Sequence, residues 1–213
     1  MRMGDPRGGF SAARRLVDVA EAVRTAPELP RAALAELLAG HGERPADLTE
    51  EAFPETAAAE LRSAARQMAA VLGEGDEDRA AEALNALFEE CGTRPRLTRH
   101  DGHPWHLHVD RGEGAGWGDW FLASGALALA QLLTEHGRIA WGACAAAGCG
   151  RFFLATGPGS ARRYCSGSCA TRARVAAHRR RKREQERGSP RPAPTTRTES
   201  GALRSVKPRD AGA

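Results

Sequence analysis

The chain has 213 residues, of which 41% are hydrophobic, and its net charge of +4 is divided unevenly along its length. Residues 1–143 contain 15 arginines against 23 acidic residues, a net charge of −8, whereas residues 144–213 contain 16 basic against four acidic residues, a net charge of +12. This length suits one ordinary domain and a small module, and no apolar run reaches the roughly 18 residues that a membrane span needs. We therefore expect an acidic globular body that carries a basic arm.

Helical periodicity characterises the first part of the chain. Apolar residues recur at helical spacing over 11–25, 31–39, 55–72 and about 76–90. Ser11 is the expected cap of the first helix, and Asp76 or Asp78 the expected start of the fourth. These four segments predict a mainly helical body.

After Gly92 the pattern changes to that of a β-hairpin. Residues 96–99 and 105–109 read as strands around an Asp-Gly turn. Trp105, Leu107 and Val109 are predicted to face one side of the second strand. A glycine-rich loop then leads to the longest apolar helix of the chain, predicted over about 119–136.

Histidines cluster in and around this hairpin. Two lie in the turn and two on one face of the second strand, namely His100, His103, His106 and His108. A second metal site is one interpretation, but no acidic or cysteine partner with ligand spacing accompanies them. We favour a polar outer face, and the role of these histidines stays open.

Four cysteines near the C-terminus are the most informative feature of the chain. Cys144 and Cys149 form one close pair, and Cys165 and Cys169 form another after fifteen residues. Two short pairs at this separation are typical of a closed tetrahedral zinc site, with disulfides as the alternative. The N-terminus lacks the apolar core of a secretory signal, so we expect a cytoplasmic protein with reduced thiols. The distant Cys91 reads as a small buried residue.

The cysteine segment predicts a module shaped like a treble clef. A turn containing Gly148 and Gly150 surrounds the second cysteine, residues 151–154 form a short strand, and Cys165 and Cys169 share one face of an opening helix. Four thiolates leave no open position on the metal, so we expect one structural Zn²⁺ per chain. The sequence shows no nucleophile–base pair, phosphate loop or paired carboxylates, and we expect no enzyme.

A run of cations follows the cysteines, with almost no acidic residue before Glu184. Adjacent cations repel one another unless a polyanion neutralises them. We therefore predict contacts with nucleic-acid phosphates or bases from Arg162, Arg163, Arg172, Arg174, Arg179, Arg180, Arg181, Lys182 and Arg183.

The cysteine segment, together with the hairpin strand Trp105-His-Leu-His-Val109, resembles the CGNR zinc-finger family, whose members carry an N-terminal ABATE domain. The motif Cys-Gly-Asn-Arg stands here as Cys169-Ala-Thr-Arg172, so its middle two residues differ. The four ligand cysteines and the motif arginine are kept. The resemblance implies a regulator of transcription.

The predicted fold class is α+β, mainly α. It comprises an ABATE-like helical and hairpin domain over 10–137, a CGNR-type zinc finger with a basic helix over 138–187, and a disordered tail over 188–213. The predicted function is zinc-dependent binding of duplex DNA by a transcriptional regulator whose body senses a small-molecule effector or forms a homodimer. The alternatives are an adaptor that docks an acidic protein and an RNA-binding factor.

Overall fold

The computed structural model describes residues 6–92, 94–99, 105–110, 115–157 and 162–188. Residues up to 175 form one compact unit, and residues from 176 onward belong to a second. The predicted tail after Gly188 lies outside the described residues. The predicted boundaries at 137 and 187 stay predictions.

Four helices form the first part of the body, as the apolar periodicity predicts. They are α1 (Pro6–Thr25), α2 (Arg31–Gly40), α3 (Glu55–Gly73) and α4 (Glu77–Glu90), with a 3₁₀ turn at Pro45–Leu48 between α2 and α3. Ser11 was expected to cap α1, but that expectation is wrong because α1 already begins at Pro6. Asp76 does cap α4, since its carboxylate accepts a hydrogen bond of 3.1 Å from the Arg79 N–H.

A fifth helix, α5 (Trp117–His136), lies against α1, α3 and α4 and fills the centre of the body. Its residues Phe121, Ala126 and Leu129 are almost completely buried. Gly125 permits the close approach of the helices, because a Cβ atom there would lie 3.1 Å from Leu16 and 3.3 Å from Met68. The broad apolar coverage of α5 therefore reflects burial in the core.

The predicted hairpin is present but extends beyond the helices that it packs against. Strands β1 (Arg94–Thr98) and β2 (His106–Asp110) pair antiparallel, with Leu97 opposite Leu107. Val109 is buried against α5, as expected, whereas Trp105 is 65% exposed and Leu107 is 39% exposed. The apolar face of β2 is thus covered by the body only near its C-terminal end.

Buried and half-buried charged side chains connect the helices to the loops between them. Arg15 of α1 donates a 2.6 Å hydrogen bond to Glu43, and its guanidinium carbon lies 4.4 Å from the Trp120 ring centroid. Burial lowers the pKa of Arg15 and raises the pKa of Glu43, and the attraction between the two groups opposes both effects. Arg15 is half-buried, whereas Arg62 is buried and donates to the Leu29 carbonyl and to Glu55. Each buried cation thus has a partner, which limits the cost of its desolvation.

Candidate metal centre and nucleic-acid interface

The four clustered cysteines are presented by a short hairpin and the start of a helix. Strands β3 (Trp141–Ala143) and β4 (Phe152–Leu154) pair antiparallel, and helix α6 (Gly167–Gly188) follows. Cys144 comes directly after β3, and Cys149 lies in the connection that leads to β4. Cys165 precedes α6 and Cys169 lies in its first turn. This is the order of a treble clef, as predicted, with β3 as a strand that the sequence analysis missed.

Backbone hydrogen bonds shape the turn that holds the first cysteine pair. The Cys144 N–H donates to the Arg151 carbonyl at 2.9 Å, and the Cys149 N–H donates to the Ala146 carbonyl at 3.0 Å. Gly148 and Gly150 have φ values of +71° and +61°, which side chains with a Cβ rarely adopt. Both glycines are therefore required by the turn, as the sequence predicted.

A serine cap fixes the second cysteine pair. Ser166 precedes α6, and its hydroxyl accepts a 3.2 Å hydrogen bond from the Cys169 N–H, which satisfies one unpaired donor at the helix start. The Ala145 N–H donates to the Arg163 carbonyl at 2.9 Å and joins the loop before α6 to the first pair. Ser166 went unnoticed in the sequence, although a serine three residues before Cys169 is a typical capping pattern.

The resulting arrangement of sulfur atoms fits a tetrahedral metal ion. All four Sγ atoms lie within 4.8 Å of one another. Cys149 and Cys165 are 3.8 Å apart, Cys165 and Cys169 3.7 Å, and Cys169 and Cys149 3.8 Å. A tetrahedron with Zn–S bonds of about 2.3 Å has edges of about 3.8 Å. These three distances match the edges of a Zn²⁺ site, and the Cys144 Sγ atom lies within 4.8 Å of the other three.

Burial and hydrogen bonds among the four thiols shift the pKa values of two of them in opposite directions. Burial raises the pKa of Cys165, and its hydrogen bonds with the three other thiols raise it further, to about 12. Burial acts against ionisation of Cys144 as well, but backbone hydrogen bonds and the neighbouring thiols lower the pKa of Cys144 to about 7. One thiolate is thus stabilised by its protonated neighbours. A divalent cation would take over this stabilisation and displace the remaining protons.

Two of the predicted nucleic-acid-binding arginines contact the cysteine cluster or its loop. Arg172 donates from Nη2 to the Cys169 Sγ at 3.2 Å. Arg162 donates to the Cys165 carbonyl at 3.3 Å, and its guanidinium carbon lies 5.9 Å from the Phe153 ring centroid. All four predicted arginines of the first unit are exposed, namely Arg162, Arg163, Arg172 and Arg174. The four arginines of the first unit that are predicted to bind nucleic acid thus lie close to the cysteine cluster in sequence. Two of them contact the cluster or its loop.

The second unit contains the densest positive charge of the described chain. Its helical residues belong to α6, and the five consecutive cations are all exposed, namely Arg179, Arg180, Arg181, Lys182 and Arg183. Five successive helix positions span more than one full turn, so these side chains project in every direction around the helix axis. This matches the predicted basic helix. Contact with nucleic acid remains a proposal.

The cysteine module is joined to the helical body by its two strands. Trp141 and Phe152 are buried in the same hydrophobic core as α1 and α3, and the Trp141 indole N–H donates to the Val71 carbonyl at 3.1 Å. The Phe152 N–H donates to the Glu21 carboxylate of α1 at 3.2 Å. Glu21 also accepts hydrogen bonds of 2.9 and 2.6 Å from Arg24. Body and module are thus parts of one packed unit.

A shallow cleft of about 520 Å³ lies between α4, the β1–β2 hairpin and α5. Most of its lining is apolar, with one acidic side chain at its edge; the lining residues include Phe88, Glu89, Leu107, Val109, Leu127 and Ala130. Its volume is in the range of small-molecule sites, although it is open to solvent.

Comparison with models of known protein families identifies the family to which the chain belongs. Residues 29–136, about half of the chain, match the ABATE family model, described as "Putative stress-induced transcription regulator". Residues 141–182 match the model of the CGNR zinc finger. The chain belongs to the ABATE family and carries a CGNR zinc finger. The family's description is that of a regulator of transcription and not of an enzyme. No curated protein matches the chain.

The structure describes the positions of Cys91 and of two of the four hairpin histidines. Cys91 is buried at the end of α4, as expected. His106 and His108 belong to β2, whereas His100 and His103 lie outside the described residues. Among the helices of the described ranges, none combines the length and hydropathy that a bilayer span requires.

The Glu21 contact predicts a pH-dependent link between body and module. Burial would raise the pKa of Glu21, but hydrogen bonds from Arg24 and Phe152 and the positive charges of Arg24 and Arg151 outweigh it and lower this pKa. A lowered pKa in the folded state stabilises the protein above the unfolded value of about 4.3. That stabilisation disappears as the pH falls through the folded value.

We expect Glu21→Gln to reduce the free energy of unfolding at pH 7 by about 1 kcal/mol, the usual worth of such a hydrogen bond. The difference from the wild type should shrink below about pH 4, where Glu21 itself becomes protonated. Denaturant titrations at several pH values measure this. Glu36→Gln, at an exposed position of α2, is the matched control and should change stability by less than about 0.5 kcal/mol. A Glu21→Gln effect that is equal at every pH would contradict the charge-based link.

Proposed function

We propose that this protein is a zinc-dependent DNA-binding regulator of transcription. The observation that carries the proposal is a cluster of four thiols whose sulfurs lie within 4.8 Å of one another, followed directly by a helix with five consecutive exposed cations. Cys144, Cys149, Cys165 and Cys169 hold one Zn²⁺ per chain. The metal is structural, because all four coordination positions are occupied by protein sulfur.

The metal fixes the start of the helix that carries the cations. Cys165 and Cys169 hold α6 at its first turn, and Cys144 and Cys149 hold the hairpin behind it. The small core of the module comprises Cys144, Ala146, Phe153, Ala155 and Cys169, which is little apolar surface for independent folding. Metal binding on the order of 10 kcal/mol supplies what the core lacks.

Zinc binding is tested by metal analysis and cysteine variants. Purification without chelator under reducing conditions should give one equivalent of zinc per chain. Cys165→Ser should reduce this to well below half an equivalent and unfold the segment 144–175, because three thiolates and a hydroxyl bind Zn²⁺ far less tightly. The helical body should keep most of its helix signal, since its own core is separate from the cluster.

Cys91→Ala is the matched control for the loss of a thiol, because Cys91 is buried in the body and far from the cluster in sequence. It should retain the full equivalent of zinc. A wild-type protein with reduced thiols and less than half an equivalent of zinc would refute the metal proposal.

The cationic residues bind the phosphates of duplex DNA. In the first unit these are Arg162, Arg163 and Arg174, and in the second Arg179, Arg180, Arg181, Lys182 and Arg183. Residues 1–143 have a net charge of −8 and would repel phosphates, so binding is expected through the C-terminal part of the chain. Phosphate contacts of this kind give affinity first, and base contacts decide sequence preference.

DNA binding should depend steeply on salt. With roughly 4–6 phosphates contacted, the logarithm of the binding constant should fall with log salt at a slope of about −4 to −5. Replacing Arg179, Arg180 and Arg181 with alanine should flatten the slope by about 2–3 units. The control is the triple alanine variant of Arg14, Arg66 and Arg79, exposed arginines of the body, which should leave the slope unchanged.

Fluorescence anisotropy with labelled duplexes at several salt concentrations measures these slopes. A chain truncated after Ala143 should lose binding. Full affinity in that truncation would overturn the assignment. Tighter binding to structured RNA, or binding only to an acidic protein, would instead favour an RNA-binding factor or an adaptor.

The body, in this proposal, receives the signal that controls binding. The cleft between α4, the hairpin and α5 offers an apolar surface for a small effector. The same region exposes Leu97 and Trp105, which are 70% and 65% accessible and suit an interface between two copies of the chain. Effector binding and homodimerisation are thus the two roles assigned to the body.

A binding effector should raise the melting temperature of the full chain, because it stabilises only the folded state. Ala130→Phe, which places a ring in the cleft, should abolish this shift, and Leu97→Ala, outside the lining, should retain it. Thermal melting with a panel of apolar metabolites and native mass spectrometry measure both roles. A strictly monomeric chain without any melting shift, whose DNA affinity is unchanged when the body is deleted, would contradict them.

A further inference from the structure

One arginine predicted to bind nucleic acid is engaged with the metal centre instead. Arg172 Nη2 lies 3.2 Å from the Cys169 Sγ, a distance at which a guanidinium N–H donates to sulfur. Cys169 and Arg172 are three positions apart in α6, so their side chains share one face of the helix. Helix geometry therefore directs Arg172 towards the cluster.

The charge of the cluster explains why a cation belongs there. Four thiolates around one Zn²⁺ leave a net charge of −2 at the centre. A charged hydrogen bond to one sulfur spreads that charge, and such outer groups fix the orientation of metal ligands.

We propose that Arg172 is a positioning residue of the metal centre and does not contact phosphate. Its guanidinium holds the Cys169 thiolate in place and slows the loss of metal. This inference rests on the zinc binding proposed above. It assigns to Arg172 a different role from that of its neighbour Arg174. Both side chains are exposed, but Arg174 lies two positions further along α6, on another side of the helix.

The test compares Arg172→Gln with Arg174→Gln in the full chain. Each variant is loaded with Co²⁺, whose sulfur-to-metal absorption band reports the electron density on the thiolates, and with Zn²⁺, whose transfer to a chromophoric chelator gives a rate. Arg172→Gln should move the Co²⁺ band to longer wavelength, because a sulfur without its hydrogen bond gives up electrons more readily. It should also speed zinc transfer about tenfold or more, the usual effect of removing an outer partner.

Arg172→Lys should bring the Co²⁺ band and the zinc-transfer rate part of the way back to their wild-type values. Lysine keeps the charge and a donor but not the planar guanidinium. Arg174→Gln should leave the band and the transfer rate at their wild-type values. In DNA titrations Arg172→Gln, measured with metal bound, should keep the wild-type salt slope, whereas Arg174→Gln should flatten it by about 1 unit.

These readouts separate the inference from the proposed function. A wild-type band and transfer rate in Arg172→Gln, or a salt slope flattened by about 1 unit with metal bound, would overturn the positioning role. If the wild type does not bind duplex DNA while Arg172→Gln changes the metal readouts, the DNA proposal fails and the positioning role stands. A chain that binds neither Co²⁺ nor Zn²⁺ overturns both the metal proposal and this inference.

Discussion

The concentration of four sulfur atoms within 4.8 Å is the constraint on which the C-terminal half of the structure depends. Four thiolates at such distances repel one another strongly, and protons or a divalent cation must separate their charges. Three features of the surrounding chain hold the sulfurs at these short distances. The glycines at positive φ allow the turn, Ser166 fixes the helix start, and Arg172 adds a positive charge at one sulfur.

The small core of the module explains why the module is packed on the body and not held on a flexible linker. Its own core contains five buried residues, two of which are cysteines of the cluster. Trp141 and Phe152, one large side chain from each of its strands, are buried in the core of the body instead. The indole hydrogen bond to Val71 and the Glu21 contact to Phe152 add directional links. A module this small gains stability from two sources, its metal and its neighbour.

Local signals in the sequence predict much of this structure. Cysteine spacing predicts the cluster because each pair lies within one turn of chain, and helical periodicity predicts α2, α3 and α4 because one face of each is buried. Strand β3 was missed because Trp-Gly-Ala contains only one residue that favours strands, whereas the equally short β4 is Phe-Phe-Leu. The exposure of Trp105 and Leu107 was missed because alternation shows which side chains share a face, not how far the neighbouring helices extend. The roles of Glu21 and Arg172 depend on tertiary contacts that no single-sequence pattern contains.

The division of charge along the chain acquires a physical meaning from this arrangement. An acidic body packed directly against a metal-held module cannot itself approach phosphate, so the cations of α6 must provide the attraction to nucleic acid in the proposed function. Any signal received by the body must then reach the module through contacts that have two arrangements. Glu21 is well placed for this, because one carboxylate is shared between Arg24 of the body and Phe152 of the module. Phe152 begins β4, the strand that follows Cys149 in the chain, so this carboxylate is a polar link from α1 to the segment that carries the first cysteine pair.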